Sequence, residues 1–164
     1  MEYIFHYSSP LGSITLVSDG THLTGLEFDG QKYFAGTLNT NPQEKTLPVF
    51  KQTVRWLDIY FSGEVPDFIP PIKIDTTPFR KQVWEIMLTI PYGKTMTYGE
   101  IAAKIAKKNG LKKMSAQAVG GAVGHNAIAL IIPCHRVMGA NGSLTGYGGG
   151  ISKKMKLLQL EKVL

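Results

Sequence analysis

The chain has 164 residues, 43% of them hydrophobic, and a single cysteine. That length allows one or two small domains with a true core, and one cysteine excludes both an internal disulfide framework and a cysteine-rich zinc site. No apolar run approaches the ~18 residues needed to span a bilayer, and no basic segment leads into an apolar stretch at the N-terminus, so no signal peptide and a soluble, cytoplasmic protein are expected. The formal net charge is +6, and its distribution is uneven. Residues 1–71 carry four Lys/Arg against eight Asp/Glu, a net −4; residues 72–164 carry fourteen against four, a net +10. A basic half joined to an acidic half points to a polyanion, nucleic acid above all, although a solvated lysine-rich surface gives the same count.

The first thirty residues alternate apolar and polar side chains in "YIFHY", "SITLV" and "HLTGLEF", separated by Asp-Gly and Ser-Pro turns. This pattern predicts a β-meander. Residues 31–46 read as a loop. "LPVFKQTVRWLDIYFSG" places Val49, Val54, Trp56, Leu57 and Phe61 at helical spacing and stops at Gly63. A proline-rich extended stretch follows, and the charge changes sign there. The domain boundary is therefore placed near residue 72, giving domains over 1–71 and 72–164.

The second half predicts helices. One starts at Thr77-Pro78 and ends before Pro91. Thr97-x-x-Glu100 is a capping box for a helix over "YGEIAAKIAKK", ended by Asn109-Gly110. Ser115 caps a short helix, "AQAVGGAVG". Two short helices across a tight basic turn suggest a helix-turn-helix. "VMGANGSLTGYGGG" reads as a glycine-rich loop or hairpin and "ISKKMKLLQLEKVL" as a terminal amphipathic helix.

Cys134 lies in "IIPCHRV". A lone cysteine is most often a small buried hydrophobe, but Pro133 ends the apolar run just before it, and His135 and Arg136 are polar neighbours that favour a thiolate. Extended chain would send the Cys134 and His135 side chains to opposite faces, so a water bridge between them is expected rather than direct contact. Glu161, the only side-chain carboxylate in the last sixty residues, falls near Leu157, Leu158 and Leu164 on a helix. A half-buried acid needs a partner: either a salt bridge to a basic residue, or His135, whose tautomer it would fix. His6, His22 and His125 lack such context and read as surface or structural. In the second helix of the helix-turn-helix, Ala118, Gly120, Gly121 and Ala122 leave a flat surface without base-reading side chains. Glycine costs roughly 1 kcal/mol there against alanine, which fits close backbone approach to DNA or tight helix packing. Lys112 and Lys113, in the turn before it, are candidate phosphate contacts.

"PCHRV", preceded by "AVGGA" and an asparagine and followed by "GYGGGISKKMKLLQLE", resembles the O6-alkylguanine-DNA alkyltransferase family over residues 77–164. The N-terminal part agrees only in general architecture. The resemblance implies an α+β protein: an N-terminal ribonuclease-H-like β-sheet domain and a C-terminal helical domain with a winged-helix-like helix-turn-helix. It implies DNA repair by base flipping, with stoichiometric transfer of an O6-alkyl group from guanine to the protein; O4-alkylthymine is a further substrate the residues leave open. Carried over by position, Cys134 is the acceptor, His135 the water-mediated base, Glu161 its orienter, Tyr98 a donor of a proton or hydrogen bond to guanine, and Asn126 a tie between the recognition helix and the cysteine. Val137 and Tyr147 line the pocket. Ser115, Gln117, Ala118, Gly120 and Gly121, with Lys112 and Lys113, face DNA, and Arg136 is structural. The implied partner is double-stranded DNA containing alkylated guanine, bound by a monomer without cofactor or membrane. Three departures stand out. Gln117 occupies the place of the usual intercalating arginine, Ala127 that of the usual proline after Asn126, and no cysteines are available for the structural zinc that some members hold, so no metal is expected.

Other readings fit less well. Alkyltransferase-like damage-binding proteins resemble this domain but lack the cysteine. Adjacent Cys–His disfavours a cysteine hydrolase. A redox-sensing transcription factor would present base-reading side chains.

Overall fold

A computed structural model of the chain describes residues 2–30 and 42–164. The expected loop over 31–46 therefore lies largely outside the described residues. Two units are distinguished, Met1–Asp75 with Ala127–Ala129, and Thr76–Asn126 with Leu130–Leu164.

In the first unit the predicted meander is formed by β1 (Tyr3–Ser9), β2 (Gly12–Ser18) and β3 (Leu23–Phe28). β1 and β2 pair antiparallel with Tyr3 opposite Ser18, and β2 pairs antiparallel with β3. Asp19 makes the second turn by accepting from the backbone N–H of Thr21 and His22 at 3.0 and 2.8 Å, the local competition that suits Asp to turns. β4 (Gln43–Glu44) then pairs parallel with β1, giving the sheet order β3-β2-β1-β4. These two residues fall in the segment read as loop, and a pairing this short leaves no periodic trace. Helix α1 (Pro48–Phe61) begins with proline, whose missing N–H is harmless there. It buries Val49, Phe50, Trp56, Leu57 and Tyr60 with Ile14, Leu16, Leu26 and Phe28 of the sheet. Burying each such side chain contributes roughly 1.5–3 kcal/mol. Ala127 and Ala129 add to the edge of β3 through Leu26, at 2.9 Å in both directions.

The second unit is helical. α2 (Pro78–Met87) is capped by the Thr77 hydroxyl and ends one turn earlier than expected, the chain closing through Leu88–Ile90 in tight turns. α3 (Tyr98–Lys108) carries the full capping box of Thr97 and Glu100, and α4 (Ala116–Gly124) is capped by Ser115. The three helices bury Val83, Trp84, Met87, Ile101, Ile105, Val119 and Val123; the Trp84 indole donates to Ala122 O at 2.8 Å, fixing α2 against α4. β5 (Met96–Thr97) pairs parallel with β6 (Val137–Met138). α5 (Ile151–Leu160) stops at Glu161 rather than continuing to the end, with Lys162 at φ 63°.

Candidate functional site: a buried thiol behind a helix-turn-helix

The apolar run Ile128–Ile132 is buried and delivers the chain to Pro133. There the extended reading fails. Cys134–Arg136 form a single 3₁₀ turn, closed by Arg136 N–H donating to Pro133 O at 3.0 Å. Three residues per turn spread successive side chains around the axis instead of sending them to opposite faces. Cys134 stays in the interior, only 8% exposed. The Asn126 amide, which also donates to Ile132 O at 2.8 Å, hydrogen-bonds the thiol. Burial pushes the thiol up; that hydrogen bond, the charge of Lys154 and the backbone N–H groups of Cys134 and His135 pull it back down.

His135 and Arg136 leave the turn toward α5, and both end on one carboxylate. Glu161 Oε2 lies 2.6 Å from His135 Nε2 and accepts from Arg136 Nη2 at 3.2 Å, while Oε1 accepts from Arg136 Nε at 2.8 Å and from Gly93 N–H at 3.1 Å. The alternatives left open for Glu161 are therefore both realised. The Arg136 guanidinium is thus engaged by Glu161. Its Nη1 donates to Ile90 O at 2.8 Å, and its guanidinium lies over the Tyr92 ring. Burial lowers the His135 pKa and keeps the ring neutral against the pull of Glu161. Glu161 is also penalised by burial, but His135 and Arg136 outweigh it and hold the carboxyl at about 2.

Tyr98, first residue of α3, donates to Thr145 O at 3.3 Å, and burial raises its pKa. Lys154, fully buried, donates to the same Thr145 carbonyl at 2.9 Å and to Val137 O at 2.5 Å. Thus the loop after the cysteine and the glycine-rich loop are stapled together from α5. Val137 is fully buried. The Tyr147 hydroxyl is buried with no hydrogen-bond partner among the described residues, and burial and the nearby Cys134 hold its pKa well above the ordinary value. Lys154 was missed from sequence. The signal was present: it stands three, four and seven residues before Leu157, Leu158 and Glu161, on one helical face.

On α4, Gln117, Ala118 and Gly121 are exposed, as are Ser115, Lys112 and Lys113 in the approach to it. A side chain at Gly121 would meet open space, whereas one at Gly120 would lie 3.9 Å from the Tyr98 ring. Helix packing therefore does not explain Gly121. Among the described residues no group of three or more His, Cys, Asp or Glu is placed to hold a metal, and no helix is long and apolar enough to cross a membrane.

Fold and site together define a class of protein with a sheet-bearing unit and a helix-turn-helix unit that keeps one thiol in its interior. The chain matches the family model described as 6-O-methylguanine DNA methyltransferase, DNA binding domain, over residues 78–163, and that of the ribonuclease-like domain of the same methyltransferase over residues 3–74. It is 44% identical to the methylated-DNA–protein-cysteine methyltransferase of Mycobacterium tuberculosis, over 97% of this chain and 93% of the relative, and 41% identical to that of Haemophilus influenzae, over 98% and 87%. A crystal structure of Mycobacterium tuberculosis OGT in complex with DNA superposes with a TM-score of 0.85 at 44% identity, over 98% of this chain and 92% of the other. This chain belongs to the 6-O-methylguanine DNA methyltransferase family.

Proposed function

We propose that this protein repairs DNA by transferring the alkyl group of O6-alkylguanine to Cys134, acting once per molecule as a cytoplasmic monomer. The observation that carries the reading is the placement of one buried thiol beside Asn126, followed in the same turn by a His135 fixed on Glu161. The exposed, side-chain-poor face of α4, with Lys112 and Lys113 before it, suits binding to duplex DNA without sequence preference. The damaged base leaves the stack at a cost of a few kcal/mol and enters beside Tyr98, Val137 and Tyr147.

In the reaction the thiol proton passes to His135 through a bridging water. The thiolate attacks the alkyl carbon, a C–S bond forms, and the C–O6 bond breaks with its electron pair going to guanine. Tyr98 donates a hydrogen bond to the departing base and makes it a better leaving group. Glu161 fixes the His135 tautomer, and Asn126 ties the end of α4 to the cysteine turn. The product is a thioether, which water does not readily hydrolyse, so the protein is consumed. O4-alkylthymine presents the same kind of alkyl carbon.

Incubation with a duplex containing O6-methylguanine, followed by intact and peptide mass analysis, tests this. One methyl group per molecule is expected on the peptide containing Cys134, and Cys134→Ser should take up none. Repeated turnover without a second protein would overturn it.

A further inference from the structure

One donor to the Glu161 carboxylate comes from backbone, the N–H of Gly93 at 3.1 Å. Gly93 is the third residue of the turn Pro91–Lys94, closed by Lys94 N–H donating to Pro91 O at 3.0 Å. Its φ is +77°, while that of Tyr92 is negative. Positive φ at the third position alone defines a type II turn and favours glycine there. A Cβ at Gly93 would meet Glu161 O at 3.4 Å, an ordinary contact, so conformation rather than space calls for the glycine. Types I and II differ in the orientation of their central peptide, which here joins Tyr92 to Gly93. A residue that avoids positive φ drives the turn toward type I. The Gly93 N–H then turns away from Glu161 Oε1 and the Tyr92 carbonyl turns toward it, an acceptor against an acceptor.

The turn is anchored on the same network at other points. Arg136 Nη1 donates to Ile90 O at 2.8 Å, the Arg136 guanidinium lies 5.7 Å from the centre of the Tyr92 ring, and the Tyr92 hydroxyl donates to Leu160 O at 3.4 Å. Arg136 grips both carboxylate oxygens, Nε on Oε1 and Nη2 on Oε2. Gly93 then holds Oε1 from one side and His135 meets Oε2 on the other. We propose that Gly93 is a positioning residue for alkyl transfer. By keeping the turn in its type II form it aims a backbone N–H at Glu161 Oε1, and so holds Oε2 on His135 Nε2 and the imidazole in the tautomer whose Nδ1 accepts the thiol proton. The inference rests on the reading of His135 as the base. A side-chain donor in this place would swing with its rotamer, whereas a backbone donor moves only with the turn. Loss of that donor also leaves a buried oxygen short of a hydrogen bond, which favours rotation of the carboxylate away from His135.

The test compares wild type, Gly93→Ala and Gly93→Asn. Asparagine tolerates positive φ far better than alanine, so the pair separates the form of the turn from the mere loss of glycine. The first readout is the NMR signature of the His135 ring nitrogens in nitrogen-labelled protein without DNA, which shows where the ring proton resides. It should reside on Nε2 in wild type and Gly93→Asn, and shift toward Nδ1 in Gly93→Ala. The second is single-turnover transfer from a duplex containing O6-methylguanine, at a temperature where each protein is folded. Gly93→Ala should be slower by about tenfold or more and Gly93→Asn within about threefold of wild type, with binding of undamaged duplex unchanged in both. Wild-type ring signals in Gly93→Ala, whatever its transfer rate, would reduce the turn to a structural element and overturn the proposal. Gly93→Asn as slow as Gly93→Ala would overturn it too. Should Gly93→Ala fail to fold, the wild type decides: the amide of the half-exposed Gly93 should exchange slowly with deuterium, and exchange at the rate of an open amide would overturn the proposal. The ring signals and the exchange need no DNA, so they report on Gly93 whatever the mass analysis says of Cys134.

Discussion

Glu161→Gln removes one charge and no volume from the most heavily used side chain of the site. The carboxylate accepts from Arg136 twice, from His135 and from Gly93. An amide has one oxygen, so its NH₂ must face a donor in either orientation. Turned toward Gly93 and Arg136 Nε, it opposes two donors. Turned toward His135, it opposes Arg136 Nη2 and forces the imidazole to accept at Nε2, which moves the ring proton to Nδ1 and reverses the tautomer. A carboxyl held at about 2 instead of its ordinary 4.5 corresponds to about 3 kcal/mol, in the range expected for breaking a buried pair. At roughly 2–4 °C per kcal/mol for a chain of this size, the melting temperature should fall by roughly 6–12 °C. A depressed carboxyl gives stability that is complete above its unfolded value and lost as pH falls through its folded one. The wild type should therefore lose this contribution between pH 4.5 and about 2, and the glutamine variant should lack that part of the slope. The reversed tautomer removes the proton acceptor, and general-base catalysis is worth roughly 10²-fold or more, so single-turnover transfer should slow by about that factor. Affinity for undamaged duplex, set by phosphate contacts away from this carboxylate, should change less than about threefold. Thermal unfolding followed by circular dichroism and rapid-quench transfer make the comparison below the variant's melting point. A variant that melts within about 2 °C of wild type and transfers at the wild-type rate would refute the reasoning.

Replacing Lys112 and Lys113 together by Gln should weaken binding about equally on unrelated duplexes and flatten the salt dependence of log K by about two; an effect that depends on sequence counts against these phosphate contacts. Gln117→Arg should tighten duplex binding and speed repair, because a guanidinium stacks in the space left by an extruded base and attracts phosphates, with a smaller gain on single-stranded substrate. An equal or slower duplex rate in the variant would place the wedge elsewhere.

Local rules account for what could be read in advance. Thr97 and Glu100 close their capping box with both hydrogen bonds, Ser115 and Thr77 cap as expected, and the alternating segments pair in the order of a meander. Each of these depends on residues within a few positions of one another. The two-residue pairings β4 with β1 and β5 with β6 do not; they are imposed by distant chain and carry no period. Pro133 was the misleading residue. Its φ of −82° is compatible with extended chain, but the backbone then closes a 3₁₀ turn, and only the alternatives open to His135 and Arg136 in three dimensions decide that.

Charges on α5 were hardest to read, for a physical reason. An amphipathic helix is read by assigning charged residues to the solvent face, and of its three lysines two do lie toward that side, Lys153 half-exposed and Lys156 exposed. Lys154 and Glu161, seven residues apart, break the rule together. In the sequence Glu161 stands out as the sole acid near an apolar stripe, whereas Lys154 is one lysine among several. Yet neither forms an ion pair with the other: Glu161 is spent on His135 and Arg136, and Lys154 on two carbonyls. Two opposite buried charges on one helical face that do not neutralise each other must each serve something else. Glu161 fixes the two side chains that follow the cysteine, and Lys154 fixes the backbone of Val137 and Thr145, so each buried charge orders a different part of the chain around Cys134.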